Sequence, residues 1–137
     1  MPKPSTTSLK LDGETKERVQ RLASARRRSP HWVMREAIEQ GLNMTIYVEG
    51  KRSFDGKLLP FKKGPFYLAK ECNVPVVPIT ISGTEEVMPK ARFAIRPGTV
   101  TVEFHDPIEP ADFGERDCLM AKVRAVINSG LPAELQE

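Results

Sequence analysis

Proline is the residue type that most limits what this chain can fold into, because it donates no backbone hydrogen bond and breaks helices and central strands from within. Nine of the twelve prolines lie after residue 59, at positions 60, 65, 75, 78, 89, 97, 107, 110 and 132. The first third of the chain and the remainder therefore have different textures. A length of 137 residues suffices for one ordinary domain or two very small ones. With 39% hydrophobic and 28% charged residues, the chain is globular rather than disordered.

Charge divides at the same place. Residues 1–43 hold nine Lys/Arg against five Asp/Glu, and residues 44–137 hold twelve against thirteen, so the basic excess is confined to the first third. Such an excess implies either an acidic partner or a solvated basic helix face. Cys72 and Cys118 lie far apart without metal-ligand spacing and read as free thiols of a reducing compartment. The N-terminus carries no apolar stretch like that of a signal peptide, and the longest apolar run, near VPVVPITI, is too short to span a bilayer. The expectation is a cytoplasmic chain, or one peripheral to the inner face of the membrane, with no metal and no cofactor.

Thr6 to Leu11 alternates polar and apolar residues, which predicts a strand with Leu9 and Leu11 on one face and Thr6, Ser8 and Lys10 on the other. Asp12 offers an N-cap to a helix with Val19, Leu22 and Ala23 as its apolar stripe, and Arg26, Arg27 and Arg28 sit at its C-terminal end. Ser29 and Pro30 then open a second helix with Trp32, Val33, Ala37 and Ile38 inward, and Gly41 can end it. A unit of this size buries little core alone, and pairing two copies through the strand would give a two-stranded ribbon that fits the DNA major groove.

The segment TTSLKLDGETKERVQRLA followed by RRSPHWVMREAI resembles the ribbon-helix-helix DNA-binding domain of the proline utilization A flavoenzymes. That resemblance implies a module over residues 1–43 that dimerises through its N-terminal strand and binds double-stranded DNA as a transcriptional regulator. Thr6, Ser8 and Lys10 would face bases, while Ser29, Pro30 and His31 would hold a backbone phosphate at a helix N-terminus. Ser8 stands where some relatives carry glycine.

Beyond residue 43, Met44–Val48 reads as a buried strand, Phe61–Cys72 as a helix, and Val76–Ile81 as a second strand. Gly98–Phe104 reads as a third strand, with strict alternation at Val100, Val102 and Phe104, and residues 115–128 as a closing amphipathic helix. The order strand–helix–strand suggests a parallel βαβ unit.

The sequence YVEGKRSFDGKLLPFKKGPFYLAKECNVPVVPITISGT resembles the second half of the glycerolipid acyltransferases, the lysophosphatidic acid acyltransferase or PlsC-type group. The family's phosphate-site motif, roughly Phe-Pro-Glu-Gly-Thr-Arg-Ser, stands here as Tyr47, Val48, Glu49, Gly50, Lys51, Arg52 and Ser53. The resemblance assigns Glu49, Gly50 and Arg52 to the glycerol phosphate of the acyl acceptor. Val48 for proline and Lys51 for threonine depart from the pattern. Lys62 and Lys63 could widen the anion site, although a solvated helix face accounts for them as well.

In that family a His-x4-Asp motif supplies the general base, and no such motif occurs in the 137 residues. His31-x4-Glu36 is a poor substitute, since five residues on one helix turn the two side chains about 140° apart. His105 reads as structural or solvated. The expected fold is thus an α/β composite, a β-α-α module followed by a truncated βαβ acyltransferase-like fragment over residues 44–137. The leading functional expectation is sequence-specific DNA binding fused to an inactive fragment. The alternative is an enzyme of phospholipid biosynthesis that transfers a fatty acyl group to lysophosphatidate, with the C-terminal part meeting lysophospholipid or a membrane surface. A product of gene rearrangement or of a partial gene model, without a function of its own, is the third.

Overall fold

The computed structural model describes residues 13–89 and 95–137. The expected strand at Thr6–Leu11, with its dimer contact, and the Asp12 cap lie outside these residues. In chain order the elements are α1 (Gly13–Ala25), α2 (Pro30–Glu39), α3 (Lys63–Cys72), β1 (Ile79–Ser82), the single turn α4 (Thr84–Val87), β2 (Thr101–Phe104) and α5 (Arg116–Ser129).

Local chemistry explains the helix ends. Arg27 adopts a left-handed conformation after α1, and the Arg28 N–H returns to the Ala23 carbonyl at 2.9 Å. The Ser29 hydroxyl accepts from the Trp32 N–H at 3.2 Å and Pro30 occupies the first turn of α2, as the sequence indicated. Asn73, left-handed at φ 50°, closes α3 while the Val74 N–H bonds the Ala69 carbonyl at 3.1 Å.

The core lies between α3 and α5. Phe66, Ile108, Leu119 and Val123 are buried together, with Val48, Phe61, Val76, Phe113, Met120, Val126 and Ile127 packed against them. Leu119 and Val123 stand four apart and share one face of α5. Lys70 closes the far side by donating from Nζ to the carbonyls of Phe113 and Gly114.

Two of the three strands expected beyond residue 43 form and pair with each other antiparallel, whereas the first strand of the expected parallel βαβ unit, Met44–Val48, carries no ladder. β1 and β2 pair antiparallel in the register Ile79↔Phe104, Thr80↔Glu103, Ile81↔Val102 and Ser82↔Thr101. A parallel pair needs a substantial crossover, usually a helix. Between β1 and β2 the described chain offers only the four residues of α4, so it folds back on itself. Gly83 permits the reversal: it sits at φ +83°, and a Cβ there would lie 2.2 Å from the Thr99 carbonyl oxygen. Prolines keep both strands short. Pro78 offers no N–H, yet its carbonyl accepts from His105, and the ladder resumes beyond it only as a Val76–Ile108 bridge.

The expected strand at Met44–Val48 does not form. This segment carries no ladder, and Tyr47 is 74% exposed. An apolar run is compatible with strand or loop, and among the described residues no strand pairs with it.

One face of the β-pair packs on α5. Buried Thr80 donates its hydroxyl proton to the Ile127 carbonyl at 2.9 Å, so its oxygen accepts from His105 Nε2 at 2.8 Å. A hydroxyl has one proton, and this fixes the His105 tautomer with hydrogen on Nε2. His105 is therefore a structural histidine. The opposite face carries Ile81, Val102 and Phe104, each exposed by 42% or more.

Core and bare face should respond differently to truncation. Leu119→Ala should cost about 2–5 kcal/mol and Thr80→Val about 1–3 kcal/mol, the latter by stranding a buried carbonyl and a ring N–H. Phe104→Thr should change stability by less than about 0.5 kcal/mol. Urea unfolding of the three variants measures this, and equal losses would contradict the placement of the core.

Candidate functional site

Tyr47–Ser53 forms a loop held by both backbone and side-chain hydrogen bonds. The Gly50 N–H closes a turn onto the Tyr47 carbonyl at 3.0 Å, and Gly50 itself is left-handed at φ 67°. That conformation strains any residue with a Cβ, which accounts for glycine at this point of the motif. The Val48 carbonyl accepts from the Lys62 N–H at 2.7 Å and ties the turn to the start of α3.

Glu49 points inward. Its Oε2 accepts from the Leu59 N–H at 2.7 Å, so the carboxylate braces the loop against the returning chain rather than standing free in solvent. Arg52 donates from Nη2 to the Met88 carbonyl at 2.6 Å, which anchors one edge of the guanidinium beside α4. A guanidinium has five N–H donors, and this bond engages one of them. Lys51, Arg52 and Lys57 are exposed cations around this loop.

A second turn follows directly. The Ser53 hydroxyl donates to Asp55 Oδ1 at 2.8 Å, and the Lys57 N–H donates to the same oxygen at 3.2 Å. These bonds, the Ser53 hydroxyl first, hold the Asp55 carboxyl below its ordinary pKa of 3.8. Arg124 of α5 completes the frame by donating to the carbonyls of Leu59 (2.8 Å) and Leu58 (3.4 Å). Sequence patterning did not single out Leu59, Met88 or Arg124. Two of them act through their backbone, which leaves no side-chain signature, and Arg124 occupies an ordinary polar position of an amphipathic helix.

Lys62 and Lys63 are both exposed at the start of α3, and Lys63 Nζ lies 3.9 Å from Asp117. His31 is at the other end of α3, where its Nε2 lies 3.0 Å from Glu71 Oε2. Glu71 also takes a 3.0 Å bond from Arg35, which in turn bonds Glu39 at 2.7 Å. Both carboxylates raise the Arg35 pKa, Glu39 the more strongly. Glu36 accepts from Gln40 at 2.9 Å, so His31 and Glu36 do not form a pair. Burial, followed by Glu39 and Glu71, raises the Cys72 thiol. Among the described residues no cluster of His, Cys, Asp and Glu is arranged to hold a metal ion, and no helix is long and apolar enough to cross a membrane.

With this geometry in view, the comparisons are specific. A family model described as Acyltransferase matches residues 17–82. A 1-acyl-sn-glycerol-3-phosphate acyltransferase of Limnanthes alba is 40% identical over 84 residues, covering 58% of this chain and 30% of the relative. Another, from Chlamydomonas reinhardtii, is 38% identical over 102 residues, covering 74% of this chain and 30% of the relative. The crystal structure of the 1-acyl-sn-glycerophosphate acyltransferase PlsC from Thermotoga maritima superposes with a TM-score of 0.70 at 35% identity, covering 74% of this chain and 42% of that one. The main part of the chain matches the acyltransferase family. Within that family the match is to the 1-acyl-sn-glycerol-3-phosphate, PlsC type, and the mixed α/β fold resembles that of the solved PlsC. The chain spans about a third of the length of the curated relatives.

These findings overturn the expectation of a DNA-binding transcriptional regulator with double-stranded DNA as partner. The matches point to acyltransferases, and the family match begins inside α1 and runs through α2. The structure gives a physical reason. Glu71 stands against His31 and Arg35, so a carboxylate already occupies the region proposed for phosphate, and the Ser29 hydroxyl is committed to its own helix. Thr6, Ser8 and Lys10 lie outside the described residues.

Asp55 supplies a pH-dependent signal in the turn. Its folded pKa is depressed, so its contribution is fully present above 3.8 and fades as pH falls through the lower folded value. The Lys57 amide resonance should titrate with a midpoint below 3.8, and Ser53→Ala should move that midpoint upward. A midpoint unchanged in Ser53→Ala would remove the hydroxyl as the cause.

Proposed function

We propose that this chain provides the acceptor-binding part of a 1-acyl-sn-glycerol-3-phosphate acyltransferase, and that the loop Glu49–Gly50–Lys51–Arg52–Ser53 receives the glycerol phosphate. The observation that carries this is Arg52: its guanidinium is oriented by the Met88 carbonyl on a loop whose shape Gly50 and Glu49 maintain. A planar guanidinium is suited to two parallel bonds with phosphate oxygens. Lys51 adds an exposed point charge beside it.

Acyl transfer to lysophosphatidate joins the acceptor hydroxyl oxygen to the acyl carbonyl carbon and expels the donor thiolate. A base must take the hydroxyl proton. Neither histidine of this sequence is placed for that task at the loop. His31 is bound to Glu71 at the far end of α3, and the Nε2 of His105 is occupied by Thr80. The function assigned to these residues is therefore recognition and orientation of the acceptor. A peripheral position at a membrane surface suits an acceptor that is itself a lipid.

Arg52→Ala should weaken binding of a short-chain lysophosphatidate by about tenfold or more, since a charge-assisted hydrogen bond contributes about 1.5–3 kcal/mol. Arg52→Lys should recover only part of it, because an ammonium cannot fork. Isothermal titration of the folded chain reads both. Equal affinity in wild type and Arg52→Ala would rule out this loop as the phosphate site.

A further inference from the structure

Arg124 belongs to α5, far along the sequence from the acceptor loop, yet it is bonded to the segment that returns from that loop. Its guanidinium donates to the Leu59 carbonyl at 2.8 Å and the Leu58 carbonyl at 3.4 Å. The N–H of the same Leu59 donates to Glu49 Oε2 at 2.7 Å. One residue thus has its carbonyl fixed by α5 and its amide fixed to the loop. Glu49 follows Val48, whose carbonyl is tied to Lys62, so the loop is held at two points that both derive from the 58–62 segment.

The guanidinium is itself constrained from two further directions. Glu137 takes bonds of 2.6 and 2.7 Å from Arg124 Nη2, and a 3.2 Å bond from Nε reaches the same carboxylate. The cation lies 5.0 Å from the centroid of the Phe61 ring, which stacks at 6° on core residue Phe66. An arginine so fixed has little rotamer freedom left to lose when the loop closes on a ligand. The arrangement resembles the support that outer-shell groups give to first-contact ligands elsewhere.

We propose that Arg124 is a positioning residue for the acceptor loop: through the Leu58–Leu59 backbone it sets where Glu49 lies, and so the shape that Gly50 and Arg52 present to a phosphate. Arg124 does not touch the acceptor. Its action on binding rests on the reading of the Arg52 loop given above, whereas its action on Leu59 does not.

A double-mutant cycle tests both parts in the full chain. Amide exchange at Leu59 and the affinity for glycerol 3-phosphate are measured in wild type, Arg124→Ala, Glu49→Ala and the double variant, with Arg124→Lys and Arg52→Ala alongside. Urea unfolding first establishes that each variant is folded under the conditions used. Arg124→Ala and Glu49→Ala should each speed Leu59 exchange about tenfold and weaken binding by about three- to tenfold. The double variant should be no worse than the weaker single, because both substitutions break one connected chain of bonds. Arg124→Lys should restore part of the exchange protection, since an ammonium reaches one carbonyl but not both.

Effects that multiply in the double variant, or unchanged Leu59 exchange in Arg124→Ala, would overturn the proposal. A merely destabilising role would lower the unfolding midpoint and leave the two substitutions independent. Should Arg52→Ala bind glycerol 3-phosphate as wild type does, the loop is not the phosphate site and the effect of Arg124 on binding falls with it. Exchange at Leu59 then decides the remaining part, the setting of Glu49.

Discussion

Helix α5 is the constraint on which the rest of the structure depends. Leu119 and Val123 are sealed against Phe66 and Ile108, and few side chains in the described chain are buried so completely. Burying one such side chain contributes about 1.5–3 kcal/mol. The same helix presents its Ile127 carbonyl to Thr80 and its Arg124 guanidinium to Leu58 and Leu59. Sheet and loop are therefore both referred to one apolar contact, and each would lose its anchor if α5 shifted.

The Tyr47–Ser53 loop draws its supports from distant parts of the chain. Its supports are the carbonyls of Tyr47, Val48 and Met88 and the amides of Gly50, Leu59 and Lys62. Backbone groups have fixed geometry and lose no rotamer entropy when they bond. Glu49 contributes a carboxylate to this frame, accepting from the Leu59 amide. Lys51 and Arg52 are exposed cations of the same loop.

At the opposite end of α3 the charges are paired within the fold. His31 and Arg35 meet Glu71, and Arg35 also meets Glu39. The basic excess of the first third had two explanations, an acidic partner or a solvated face. Arg35 lies on a solvated face, yet besides Glu39 of its own helix it is bonded to Glu71 of α3, more than thirty residues away. Such a pairing leaves no trace in a charge count.

Much of the architecture is legible in the amino-acid order. The Ser29–Pro30 helix start, the helices near 63–72 and 116–129, and the strands near 79–82 and 101–104 follow from local chemistry, whereas the Glu-Gly-x-Arg loop was marked by a family resemblance. Capping and periodicity are properties of neighbouring residues, so a linear sequence displays them. Tertiary structure alone decided that β1 and β2 run antiparallel, that Met44–Val48 is not a strand, that Glu49 braces Leu59, and that Arg124 and Glu71 reach across the fold. Each of these depends on which groups meet through space, and a hydrogen bond between residues ten to sixty-six positions apart has no period for a sequence to show.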